Sequence, residues 1–206
     1  GLCSLGVTAD ERTKDLVRGC TLFNSAGGMT SFRYDKVPWY ARPIVWPLFY
    51  ALQNIILAPN GYGGPFFENF KTRENVESIL KNQGVYGDTT NVDEELIEIL
   101  LGPSDDDGAK EVFLKVFGGP AGPTPEGFLS QIDQPILALW GDSDPWTPLD
   151  KGMHPGNNFV QYCKNESQFQ LVVLEGAGHC PHDEAPEEIH EAMLPWLKSL
   201  DARDVE

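Results

Sequence analysis

Three stretches of the chain are almost uninterrupted in apolar side chains and run into glycine: CTLFN (Cys20 to Asn24), ahead of Ser25-Ala26-Gly27-Gly28, PILALWG (Pro135 to Gly141) and FQLVVLEGAG (Phe169 to Gly178). Runs that lack polar alternation and stop at a turn former fit parallel strands covered on both faces. Helical patterns lie around them. TADERTKDLVRG predicts a helix that closes with Arg18 near its C-terminus and Gly19 as the stop. APEEIHEAMLPWLKSL predicts the last helix, with Ile189, Met193, Trp196 and Leu197 at helical spacing. Strands alternating with helical crossovers give an α/β fold with a parallel sheet.

On the order of a hundred residues separate the first two strands, far more than a loop supplies, so that stretch must hold structure of its own. Its pattern is helical. Pro38 to Ala58 is rich in aromatics, Thr72 can cap RENVESILKNQG, Asn91 with Glu94 resembles a capping box opening VDEELIEILL, and Ser104 precedes DDDGAKEVFLKVF. Proline and glycine punctuate the gaps and close the stretch at Gly118 to Gly127. The expected organisation is a core from residues 1–27 and 131–206 and a helical cap or lid from 28–130. Such an insert would stand over the carboxyl ends of the strands, where α/β folds bind ligands.

Charge narrows the partners. Fifteen basic residues against 31 acidic ones give a net charge of -16 over 206 residues, which repels a phosphate backbone and speaks against nucleic acid. Cys3, Cys20, Cys163 and Cys180 are too far apart for a disulfide scaffold or a metal knuckle and fit a reducing compartment. The longest apolar stretch, Ile44 to Ala58, is shorter than the ~20 residues of a membrane span. It contains Pro47 and two amides and fits a buried or interfacial helix, compatible with peripheral membrane contact.

Two loops carry chemistry. LWGDSDPWTP (Leu139 to Pro148) places Asp142 or Asp144 just past a strand end, where a carboxylate can orient an imidazole; the same residues also make turns without catalytic duty. LEGAGHCPHDEAPEEI (Leu174 to Ile189) presents His179 between a strand and the last helix, where it can serve as general base and acid. Either feature alone has a bland explanation. Together, an acid loop, then a histidine loop about 35 residues later, then a final helix follow the Ser, Asp, His chain order of α/β hydrolases.

The stretches Ala177-Gly178-His179-Cys180-Pro181-His182-Asp183-Glu184-Ala185-Pro186 and Trp140-Gly141-Asp142-Ser143-Asp144-Pro145-Trp146, with RGCTLFNSAGG, resemble the plant, algal and cyanobacterial α/β hydrolases akin to pheophytinase and chlorophyll dephytylase. The resemblance implies Asp144 as triad acid and His179 as triad base, with Asp142 a turn residue and His182 and Glu184 shaping the loop. It implies hydrolysis of a carboxylic ester through a serine nucleophile in a G-N-S-x-G-G elbow, with no cofactor. The substrate class it implies is a small hydrophobic ester such as a chlorophyll phytyl ester, and the compartment is the chloroplast. Trp46 and Phe49 of the insert and Trp146 of the acid loop are the expected substrate-facing aromatics; Trp39, Tyr40 and Tyr50 line the ligand path or pack the insert.

Ser4, in GLCSLG, does not fit the elbow. Leu2 stands where the sharp turn needs glycine, and no strand precedes it. Ser25 has Gly27 two ahead but Phe23 two back, and Ser143 has Pro145 two ahead. Aligned on TLFNSAGG, the expected serine falls just ahead of Gly1, which makes Ser4 part of the following helix. The expectation is therefore a chain that does not turn over alone and tends to aggregate through an open edge at its first strand. His179, Cys180, His182 and His190 match no metal spacing, and side chains as close as His179 and Cys180 diverge. An epoxide hydrolase or haloalkane dehalogenase with an aspartate nucleophile shares the Asp and His arrangement. A binding protein on the same scaffold, without catalysis, is the other alternative.

Overall fold

A computed structural model describes residues 1–25, 37–58, 61–118, 123–151 and 155–203. The glycine loop expected at Ala26 to Gly28 and residues 119–122 of the proline and glycine stretch lie outside the described residues. The packing divides the chain into two units. One comprises Gly1–Gly27, Leu80–Asn91 and Pro123–Glu206; the other comprises Gly28–Ile79 and Val92–Gly122. Segments 80–91 and 123–130, expected within the insert, thus pack with the strands.

The first unit is built on a parallel three-stranded sheet. Strands β1 (Cys20–Phe23), β2 (Ile136–Gly141) and β3 (Phe169–Leu174) pair in the order β1-β2-β3, with Cys20 opposite Ile136 and Ile136 opposite Phe169. All six residues of β2 are buried, and alternate side chains enter two separate cores. Ile136, Ala138 and Trp140 pack with Leu5, Cys20, Leu22, Leu129, Ile132 and Phe159. Leu137 and Leu139 pack with Leu174, Ala177, Ile189, Trp196 and Leu200 on the opposite face. This explains why the β2 run shows no polar position.

On the first face stand helices α1 (Leu2–Ala9) and α7 (Pro125–Leu129), whose Leu5 and Leu129 are fully buried. Trp140 fixes this core. Its ring meets Phe159 edge-on at 5.6 Å, its indole N–H donates to the Thr147 carbonyl at 2.8 Å, and a Cβ on Gly156 would approach the ring to 2.6 Å. Gly156 therefore lets backbone lie directly on the indole.

The other face is covered by the last helix, α9 (Pro186–Arg203), with a four-residue turn, α8 (Pro181–Glu184), before it. Ile189, Trp196 and Leu200 are buried, whereas Leu197 is 40 % exposed. The buried stripe follows the spacing of Ile189, Met193, Trp196 and Leu200, so Leu200 takes the place expected of Leu197. Gly19 allows this helix to approach β1, since a Cβ there would lie 2.7 Å from Trp196 and 2.8 Å from Leu200. Arg18 reaches across to Asp201 and the Leu200 carbonyl.

Two expectations are corrected here. The first helix ends at Ala9, not at Arg18, because the Asp10 carboxylate accepts the Arg12 backbone N–H at 2.9 Å and pairs with its guanidinium, a local turn that competes with helix propagation. A short 3-10 turn over Lys14–Leu16 then leads into β1. β3 is not covered on both faces: only Leu174 is buried, and Val173 is 47 % exposed. It is an edge strand among the described residues, and its branched side chains satisfy strand propensity without full burial.

The second unit is helical. It holds α2 (Arg42–Ala51), which runs into a π-helical turn over Leu52–Ile56, then α3 (Gly63–Phe70), α5 (Glu94–Leu101) and α6 (Ala109–Gly118), while α4 (Arg73–Asn82) leads out into the first unit. The helix expected to open at Asn91 is instead capped by Asp93, whose side chain accepts the Leu96 N–H. Asn91 bonds the Asp183 carbonyl. Phe67 and Phe70 gather around Phe113 at 5.2 and 4.7 Å between rings, and Arg73 pairs with Glu94 and Glu98.

Leu139 lies on the fully buried strand with close neighbours on α9. Leu139→Ala is expected to lower the unfolding free energy by about 2–5 kcal/mol, the range for a buried leucine whose cavity closes incompletely. Urea unfolding followed by tryptophan fluorescence measures it, and a loss under about 1 kcal/mol contradicts this account of the core.

Candidate functional site

The carboxyl ends of the three strands meet through one side chain that the sequence did not single out. Asn24, directly after β1, is 2 % exposed and has φ of 35°, a left-handed conformation that asparagine tolerates better than most residues. Its amide oxygen accepts the Gly141 N–H at the end of β2. Its amide nitrogen donates to the Asp144 carboxylate at 2.6 Å and to the Gly178 carbonyl at 3.1 Å. One buried amide thus joins β1, the acid loop and the histidine loop.

Gly141 is required for this convergence. A Cβ there would come within 2.3 Å of the Ala177 and Gly178 carbonyls, so the two loops could not lie so close. Asp142 and Ser143 continue the link: their backbone N–H groups donate to the Leu174 and Ala177 carbonyls, and the Asp142 carboxylate accepts the Gly176 N–H at 2.8 Å. Asp142 is engaged in holding the turn, with no bond to His179.

Asp144 is the residue that faces His179. Its Oδ2 lies 2.8 Å from His179 Nδ1, and its side chain is wholly buried. Thr147 Oγ1 donates to the same oxygen while the Trp146 and Thr147 backbone N–H groups donate to Oδ1 at 2.7 and 3.1 Å. Burial pushes the Asp144 carboxyl up, but hydrogen bonds from His179, Asn24 and Thr147 outweigh it and hold the group well below the usual carboxylate range. Asp144 is therefore an anion throughout the neutral range. With Nδ1 directed at that anion, a neutral imidazole has its lone pair on Nε2, where a general base needs it.

His179 is held from behind by segment 80–91. Its backbone N–H donates to the Val85 carbonyl at 2.6 Å. Glu184 accepts the N–H groups of Gly178 (3.0 Å), Cys180 (3.3 Å), Gly87 (2.6 Å) and Asp88 (3.2 Å), so that one carboxylate binds the loop to this segment. Tyr86 donates to the Asp183 carboxylate at 2.9 Å. The Phe23 ring lies 5.6 Å from His182. None of this support except Glu184 and His182 was visible as a motif.

The other candidates fall as follows. Trp146 packs against the His179 ring at 5.7 Å between centroids. Trp46 and Phe49 lie on α2 in the second unit, with Trp46 exposed. Ser4 is on the exposed first turn of α1, its carbonyl accepting the Thr8 hydroxyl. Ser25 is 3 % exposed, and its Oγ is buried without a hydrogen-bond partner at the start of α1, where a Cβ on Gly1 would stand 1.9 Å from it. Burial raises the Cys180 thiol, which leaves it neutral rather than nucleophilic. Among the described residues no group of three His, Cys, Asp or Glu side chains is placed to hold a metal.

No family model matches the chain. It is 30% identical over 138 residues to the chloroplastic pheophytinase of Arabidopsis thaliana, a match covering 63% of this chain and 26% of that protein. In structure it is similar to a serine hydrolase involved in carbazole degradation, at TM-score 0.57 and 18% identity over 94% of this chain and 58% of the other. A thermophilic esterase from Thermogutta terrifontis gives TM-score 0.53 and 17% identity over 95% and 60%. The fold is that of the α/β hydrolases. The chain spans about a quarter of the plant relative and under two thirds of these solved hydrolases. Within that fold, the strand ends described above are where ligands are met.

The lowered Asp144 group has a consequence for acid stability. An unfolded aspartate titrates near pH 4, so the native preference for the anion is fully present above that value and is lost as pH falls below it toward the folded value. Asp144→Asn is expected to show a smaller drop in unfolding free energy between about pH 6 and pH 3 than the unmodified chain. Urea titrations at both pH values measure this, and an equal or larger drop in the variant contradicts it.

Proposed function

We propose that this chain provides the acid and base of a hydrolase that cleaves carboxylic esters, with Asp144 orienting His179. The observation that carries the reading is the 2.8 Å contact between His179 Nδ1 and a wholly buried Asp144 carboxylate, at the carboxyl edge of the sheet. In this reading His179 Nε2 takes the proton of a serine hydroxyl as the oxygen attacks the ester carbonyl. It then gives that proton to the departing alkoxide, leaving an acyl-enzyme. A water activated by the same nitrogen releases the acid. Asp144 remains ionised and stabilises the imidazolium that forms in each step.

The serine of this reading stands on the strand-to-helix elbow that feeds α1. Ser4 and Ser25 are not assigned that role: Ser4 is on the helix surface, and the Ser25 Oγ is enclosed. The placement of α1 supports the assignment. A Cβ on Gly1, the residue just before the helix, would stand 1.9 Å from the Ser25 Oγ, and Ser25 follows the Asn24 whose amide bonds Asp144, so the helix begins near the edge of the sheet where the pair lies. Backbone N–H groups at such a helix start suit an oxyanion.

The substrate we infer is a hydrophobic ester, with the phytyl ester of a chlorophyll-type pigment as its specific form and the chloroplast as its setting. Likeness to the plant pheophytinase over 63% of this chain supports both. Trp146, tilted against the His179 ring, provides an apolar wall for the acyl or alcohol part, and the helical unit, with Trp46 and Phe49, is assigned to the lid.

The test expresses the full open reading frame that contains this sequence and treats the product with a fluorophosphonate. Labelling of a serine in a G-x-S-x-G sequence just ahead of Gly1 is expected, and His179→Ala is expected to reduce both labelling and p-nitrophenyl ester turnover by about 10³-fold or more. Labelling at Ser4 or Ser25, an aspartate at the elbow centre, or full activity in the His179 variant overturns the proposal.

A further inference from the structure

The helical unit carries a surface whose chemistry differs from the rest of the molecule. From Pro43 to Phe67 the sequence contains no Asp, Glu, Lys, Arg or His, in a chain of net charge -16. Helix α2 lies in this tract except for its first residue, Arg42, and none of its ten residues is buried. Ile44 is 76 % exposed and Leu48 66 %; Trp46 and Tyr50 are more than half exposed. Just before the helix, Trp39 is 79 % exposed and packs edge-on against the exposed Tyr40.

The distribution around the helix says what can cover it. At about 100° per residue, Ile44 and Leu48 fall on one side and Trp46 and Tyr50 on the other, so the exposed apolar arc is about 200° wide. Arg42, Val45 and Phe49 on one face are half-buried, as is Ala51 at the end of the helix. A helix received in a protein groove presents a stripe roughly half that width. A lipid leaflet surrounds an embedded helix on all sides but the one facing its own protein. Trp and Tyr, each with an apolar body and one polar tip, suit the boundary between acyl chains and headgroups.

We propose that α2, with the Trp39 and Tyr40 turn ahead of it, is a docking surface for lipid membranes with uncharged or zwitterionic headgroups, lying in the interface plane. No helix among the described residues is long and apolar enough to cross a membrane. Ten helical residues give a length of about 15 Å, half of a hydrocarbon core. Anionic headgroups do not provide the main attraction, because Arg42 at the start of α2 is the one cation of this surface and the rest of the chain is strongly negative. The inference does not depend on the hydrolase reading, and its test uses no catalysis.

The 206-residue chain is mixed with vesicles of pure phosphatidylcholine and floated on a density gradient, which separates vesicle-bound protein from aggregates that sediment. Flotation that persists at 0.5 M salt is expected. Ile44→Glu with Leu48→Glu, both at exposed positions, is expected to lower the floated fraction about tenfold with the far-ultraviolet circular dichroism unchanged. Leu16→Glu, at an exposed apolar site in the sheet unit, is expected to float as the unmodified chain does. Three results overturn the proposal: no flotation with phosphatidylcholine, flotation only with anionic vesicles and lost in salt, or a dimer that the Glu pair dissociates while vesicles bind neither form.

Discussion

A carboxylate taken out of water must be given hydrogen-bond donors or take up a proton. Asp144 meets that demand with His179, the Asn24 amide, the Thr147 hydroxyl and two backbone N–H groups. These donors come from the end of β1 and from both loops. Satisfying one anion therefore fixes the end of β1 against β2 and both against the histidine loop. The left-handed backbone at Asn24 is a local cost that the surrounding bonds offset. Gly141 and Gly178 serve the same constraint sterically, since a side chain at either would strike the backbone of the neighbouring segment.

The strands were legible because β2 is buried throughout, and a fully buried strand leaves no polar residue to mislead the pattern. β3 was legible as a strand but not as an edge, since Val172 and Val173 read alike whether covered or half exposed. Helix ends were read less well. Asn91 and Asp93 are both good caps by composition, and which one acts depended on Asn91 being drawn to the Asp183 carbonyl, a contact far away in sequence. Likewise the helix at Asp10 stops because of one Arg12 pairing that periodicity does not register.

The candidate site divides in the same way. Asp144 and His179 each follow a strand end, a local signature, and Trp146 lies beside them in the same loop. Asn24 and the Val85 carbonyl have no local signature, for their partners lie more than ninety residues away. Their importance comes from topology. Segment 80–91, which in sequence separates the two stretches of the helical unit, passes behind the histidine loop, and Glu184 binds its backbone rather than its side chains. Such bonds ask little of residue identity beyond Gly87, where a Cβ would lie 2.1 Å from the Gly176 carbonyl.

The register of β1 with β2 joins residues far apart in the chain. Cys20 must find Ile136, with the whole helical unit in the intervening chain. Closing a loop on the order of a hundred residues costs entropy that short-range contacts do not repay. A helical unit that condenses first shortens the effective loop to the distance between its own ends. The helical unit is in that sense a spacer for the sheet: the more compact it is, the less entropy the pairing of β1 with β2 has to overcome.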